Sequence, residues 1–154
     1  MKTRTIVLTM ALCLAAVAVS FASNANLGTW KLNEAKSKIP AGAVKNNTVS
    51  YEVAGDSMKV TVDGVDGDGK PTHNEWTGKF DGKDYPLTGD PTADMRSYKT
   101  VNAHTTQLTN KKDDKVILSG QIVISADGKS RTLTVSGTNA KGEKVKYTAV
   151  YDKQ

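Results

Sequence analysis

The chain has 154 residues, 38% hydrophobic and 24% charged, with one cysteine and two histidines. That length suits one ordinary domain, and a mean hydropathy of −0.43 excludes a polytopic helical membrane protein. The varied composition excludes a repeat array or a disordered tract. The formal charge is +5, but lysines and acids are mixed along the chain, so no basic stripe marks a nucleic-acid surface.

Residues 1–25 read as an export signal. Lys2 and Arg4 form a basic start, an apolar run extends from Ile6 to Val19, and small residues follow in Ser20-Phe21-Ala22 and Ser23-Asn24-Ala25. The run is shorter than the roughly 17–25 residues that cross a bilayer. Cleavage is expected after Ala25, or after Ala22. Cys13 follows Leu12 inside the apolar run, which disfavours a lipoprotein signal. The domain is then 26–154, periplasmic or secreted, with no membrane attachment after cleavage. Losing Lys2 and Arg4 takes the 21 basic residues to 19 against 16 acids. Cys13 leaves as well, so neither a disulfide nor thiol chemistry is available, and the core and its ladders must hold the fold.

Turn signals punctuate the remainder. They are Ala54-Gly55-Asp56, Asp66-Gly67-Asp68-Gly69-Lys70, Asp81-Gly82-Lys83, Gly89-Asp90-Pro91, Lys112-Asp113-Asp114-Lys115, Asp127-Gly128-Lys129 and Lys141-Gly142-Glu143. Between them the period is two. Val49, Tyr51 and Val53 alternate with Thr48, Ser50 and Glu52, and Met58, Val60 and Val62 alternate with Lys59, Thr61 and Asp63. Trp76 and Phe80 oppose Glu75, Thr77 and Lys79; Leu133 and Val135 oppose Thr132 and Thr134; Val145, Tyr147, Ala149 and Tyr151 oppose Lys144, Lys146 and Thr148. The predicted strands are 27–32, 45–54, 57–65, 71–81, 83–88, 95–101, 104–111, 115–125, 130–138 and 143–152. Residues 116–125 are apolar on both faces, which predicts a strand covered on both sides or placed most centrally. The stretch 33–43 has room for one helical turn after Asn33, not for a helical hairpin.

Short connections and one apolar face predict an all-β, antiparallel up-and-down meander. It hides that face by closing into a barrel of about 8–10 strands, or by stacking two sheets. Inward-facing candidates are Tyr51, Met58, Trp76, Phe80, Tyr85, Met95, Ile122 and Tyr147. They line a ligand cavity or fill a solid core.

The start Gly28-Thr29-Trp30-Lys31-Leu32-Asn33 resembles the Gly-x-Trp first strand of the calycins, the lipocalins and fatty-acid-binding proteins among them. Together with Phe80-Asp81-Gly82-Lys83-Asp84-Tyr85-Pro86 and Val150-Tyr151-Asp152-Lys153, it is similar to a group of small secreted bacterial lipocalin-like proteins of unassigned function. The resemblance implies a closed barrel in which Gly28 gives backbone clearance and Trp30 plugs one end. It brings no activity. The chain departs from fatty-acid-binding proteins in lacking room for a helical lid. It also has Ala149 where their last strand carries an arginine two residues before the tyrosine.

No catalytic motif, metal site or cofactor is expected. His73 and Glu75 share a strand face, with His104 or Asp84 as distant complements, but that face opposes Trp76 and reads as solvated. Asp63, Asp66 and Asp68 lie beside glycines, yet Thr77 stands where a calcium loop needs its bidentate glutamate. Asn46-Asn47-Thr48 is a sequon by pattern only. There is no Gly-x-Ser-x-Gly, His-Glu-x-x-His, P-loop or dinucleotide fingerprint. Three readings stand: a barrel binding a small hydrophobic molecule, a filled barrel acting in the envelope through its surface, and a lipocalin-fold isomerase or hydrolase. Composition does not speak to oligomeric state.

Overall fold

The computed structural model describes residues 24–138 and 142–154. The predicted export segment lies outside these residues except for Asn24 and Ala25. Ten strands follow in chain order: β1 Gly28–Leu32, β2 Lys45–Ala54, β3 Ser57–Val65, β4 Pro71–Gly78, β5 Tyr85–Thr88, β6 Met95–Asn102, β7 Thr105–Lys112, β8 Lys115–Ile124, β9 Ser130–Thr138 and β10 Lys144–Lys153. Every neighbouring pair is antiparallel. The meander closes because β1 pairs with both β2 and β10. Closure removes the sheet edges that an open meander would expose.

Alternation holds for most of the expected inner face, with Val53, 50% exposed, as the exception. Val49, Tyr51, Met58, Val60, Val62, Trp76, Leu133, Val135, Ala149 and Tyr151 are all buried in one core. After β1, Asn33 caps a single 3₁₀ turn over Glu34–Lys36, its side-chain oxygen accepting from the Lys36 amide at 3.2 Å. The described residues between β1 and β2 hold no other helix, so no helical lid follows the first strand. The hairpin at Lys112-Asp113-Asp114-Lys115 turns on two aspartates with φ of 47° and 61°. That pair of left-handed residues matches the twist of the flanking strands.

Two strand expectations change. The fourth strand stops at Gly78, because residues 79–84 leave it and run beside β6. There the Gly82 amide donates to the Tyr98 carbonyl at 2.9 Å, and the Thr100 amide donates to that of Phe80 at 3.2 Å. The fifth strand consequently starts only at Tyr85. The second change concerns β8, expected to be covered on both faces. Its inner row Leu118, Gly120, Ile122 and Ile124 faces the lumen, but Val116 is 56% and Val123 43% exposed, and no described element lies over them. A barrel of single-sheet thickness has only one buried face, whatever the hydropathy of an individual strand.

Candidate functional site

One barrel end is closed by the first turn of the domain. Asn26 is buried, and its carbonyl accepts from the Trp30 indole N–H at 2.7 Å, while its side-chain amide donates to Thr106 Oγ1 at 3.1 Å. Trp30 is fully buried. Gly28 has φ of 106°, and a Cβ there would meet Lys153 Cε at 3.1 Å. The Gly28 backbone thus passes close to the Lys153 side chain, and Trp30 is packed beneath the first turn of the domain.

Arg131, on β9, completes this end. It is 2% exposed, and its guanidinium lies 4.7 Å from the ring centre of Tyr151, 5.2 Å from that of Tyr51 and 5.8 Å from that of Trp30. Nη1 donates to the Tyr51 hydroxyl at 2.8 Å, and Nε has no hydrogen-bond partner. Three ring faces thus meet this buried charge.

The aromatic candidates gather beside the plug. Trp76 packs edge-on against Phe80, Tyr85 and Tyr98; Phe80 stacks on Tyr98 at 4.8 Å; Tyr51 packs edge-on against Phe80 and Tyr98. Edge-to-face contacts of this kind add to the stabilisation that burial gives. Trp76, Tyr51 and Tyr98 are buried, whereas Phe80 and Tyr85 are half-buried. Met58 and Ile122 complete this part of the core, and Tyr147 packs against it from β10. Met95 does not join them. It precedes Arg96 and pairs with Lys111 and Pro86, half-buried on the face opposite Arg96 and Tyr98. Its place as a lumen residue is a correction. The β6 register puts Tyr98 opposite the buried Leu108, and Met95 is then out of phase.

The same register brings in residues the strand pattern did not single out. Arg96 is 6% exposed, with Nε donating to Asn110 Oδ1 at 2.8 Å and Nη1 donating to Asn74 Oδ1 at 3.2 Å. Both asparagines are buried, and the Arg96 carbonyl accepts the Trp76 indole N–H at 2.8 Å. The acceptors that Arg96 and Arg131 meet are the uncharged amide oxygens of Asn110 and Asn74 and the Tyr51 hydroxyl. Burial raises the phenols of Tyr98, Tyr147 and Tyr151 above the ordinary tyrosine value, and Arg96 opposes that rise at Tyr98 and Tyr147. The available signal was the alternation of Arg96 and Tyr98 with Ser97 and Lys99. It is masked because an arginine normally belongs outside.

The remaining charged candidates lie on the outer surface. His73 Nδ1 is 2.6 Å from Asp63 Oδ1, and Glu75 is 2.8 Å from Lys59 Nζ, all well exposed. Among the described residues no three His, Cys, Asp or Glu side chains form a group that would hold a metal ion. Two shallow depressions of about 440 and 330 Å³ share Ser119, Ser136 and Lys146 on the outer face of β8–β10. They touch none of the candidates from sequence.

The fold is a closed ten-stranded antiparallel barrel, like that of lipocalins and fatty-acid-binding proteins, with no helical lid among the described residues. Neither a family model nor a curated protein matches the chain. It is similar to a solved structure described as "Structure of EF1p2_mFAP2b bound to DFHBI", at 12% identity and a TM-score of 0.49, over 86% of this chain and 97% of that one. The fold assignment rests on the strand order and register described above.

Proposed function

We propose that the protein is an exported barrel that holds a small hydrophobic molecule in its interior. The observation that carries this reading is the aromatic cluster, which runs from the half-buried Phe80 and Tyr85 to the buried Trp76, Tyr98 and Tyr51. A largely apolar wall with a few fixed polar groups is the usual make-up of a small-molecule site. Titration of the full chain with the neutral dye N-phenyl-1-naphthylamine, read by energy transfer from tryptophan, tests it. Saturable binding that weakens in Trp76→Phe supports the reading, and absence of binding sinks it.

A filled barrel acting through its surface is the second reading. Complete burial of Trp30, Val60, Trp76 and Val135 favours it. Under that reading the dye finds no saturable site.

A further inference from the structure

We propose that the leader is cut after Ala22 and not after Ala25, so that the mature protein begins at Ser23. This rests on the export part of the reading above and adds the site of processing. Ser20 and Ala22 precede one cut, and Ser23 and Ala25 precede the other at the same spacing. Both pairs suit a signal peptidase, so the small-residue pattern does not separate them. What each cut leaves for the fold does.

Asn24 and Ala25 belong to the folded domain. The Asn24 carbonyl accepts from the Leu27 amide at 3.0 Å, which closes a four-residue turn. Its side-chain oxygen accepts from the Asn26 amide and from Asn26 Nδ2, both at 3.0 Å. An asparagine that bonds the backbone two residues on is a common way to fix such a turn. Ala25 packs against the core. Asn26, held in this way, is 3% exposed, and it is the residue whose carbonyl takes the Trp30 indole N–H and whose Nδ2 reaches Thr106 on β7.

A cut after Ala25 removes both Asn24 oxygens, and three hydrogens lose their acceptor. It also converts the Asn26 amide into a charged α-amino group. The charge near it is of like sign, because the Arg131 guanidinium lies over the same Trp30 ring. A buried ammonium without acceptors is costly. Swinging it out to water would instead pull the Asn26 carbonyl from Trp30 and the side chain from Thr106. A cut after Ala22 leaves each of these bonds in place and puts the new charge on Ser23, ahead of the turn in sequence. Cleavage precedes folding, so the fold does not direct the peptidase. The link is that Asn24 has a part in the domain that a discarded residue would not have.

The full chain is expressed with its own leader in an export-competent bacterial host, and the exported protein is weighed intact. A mass beginning at Ser23 is expected. A mass beginning at Asn26 would overturn the assigned site while export stands, and a full-length mass would overturn both. The physical reason is tested on chains 23–154 and 26–154, each released from a cleavable fusion with its native first residue. The shorter chain should unfold at a lower urea midpoint or fail to fold, and Asn24→Ala in the longer chain should fall between the two. Equal midpoints for the two chains would remove the structural part given to Asn24 and overturn the proposal.

Discussion

Lys153 is the register partner of Trp30 across the seam that closes the barrel, and its ammonium stands 5.1 Å from the indole ring centre. Arg131 approaches the same ring at 5.8 Å. The last residues of the chain thus cover the motif that opens it, so the closing seam and the plug are one structure.

Trp30→Ala removes the plug and strands the Asn26 carbonyl that its N–H now satisfies. The expected loss is about 3–5 kcal/mol, the range for an aromatic-to-alanine change in a packed core. Urea melts of wild type and variant measure it. A variant as stable as wild type would show that the seam closes without the indole.

Trp76→Phe keeps most of the apolar surface but removes the indole N–H that donates to the Arg96 carbonyl, an oxygen that also faces Tyr85 across the ladder. About 0.5–1.5 kcal/mol is expected for one lost hydrogen bond, less than for Trp30→Ala. The same denaturant series reads both. A loss equal to that of Trp30→Ala would mean that Trp76 is as structural as the plug.

Gly137→Ala tests the close approach of β8 and β9. A Cβ at this position would lie 2.3 Å from the Ile117 carbonyl oxygen, a backbone atom that no rotamer change can move away. Destabilisation should reach or exceed the roughly 1–3 kcal/mol typical of overpacking. Thermal denaturation with no shift in midpoint would contradict the local geometry.

His73 titrates above its ordinary value of 6.5, chiefly through its hydrogen bond to Asp63. With the folded value raised above the unfolded one, the favourable contribution is full below about pH 6.5. It is lost as pH rises through the raised folded value. Proton NMR of the His73 ring should show the elevated midpoint, and Asp63→Asn should return it toward 6.5. An unchanged midpoint in that variant would assign the shift elsewhere.

Export predicts an intact mass for the processed protein beginning at Asn26 or Ser23. A chain beginning at Ser23 retains Asn24, whose carbonyl accepts from the Leu27 amide and whose side chain accepts from Asn26 at 3.0 Å. Full-length protein recovered from the periplasm or medium would exclude the signal.

Strand positions and antiparallel order were legible along the chain because each follows from local information, whereas closure in place of two stacked sheets rests on the pairing of β1 with β10. Period-two alternation gives one buried face, and short turns force neighbours to pair. The cations beside Trp30, Lys153 and Arg131, follow once the first and last strands must meet. The lumen polar groups were not legible. Whether Met95 or Arg96 and Tyr98 face inward turns on the β6–β7 register, since a shift of one residue reverses every side chain. That register is settled by pairing Tyr98 with Leu108 and Arg96 with Asn110. The asparagines that orient the guanidinium come from strands 22 and 14 residues away in sequence, so only tertiary closure brings that charge and its neutral partners together.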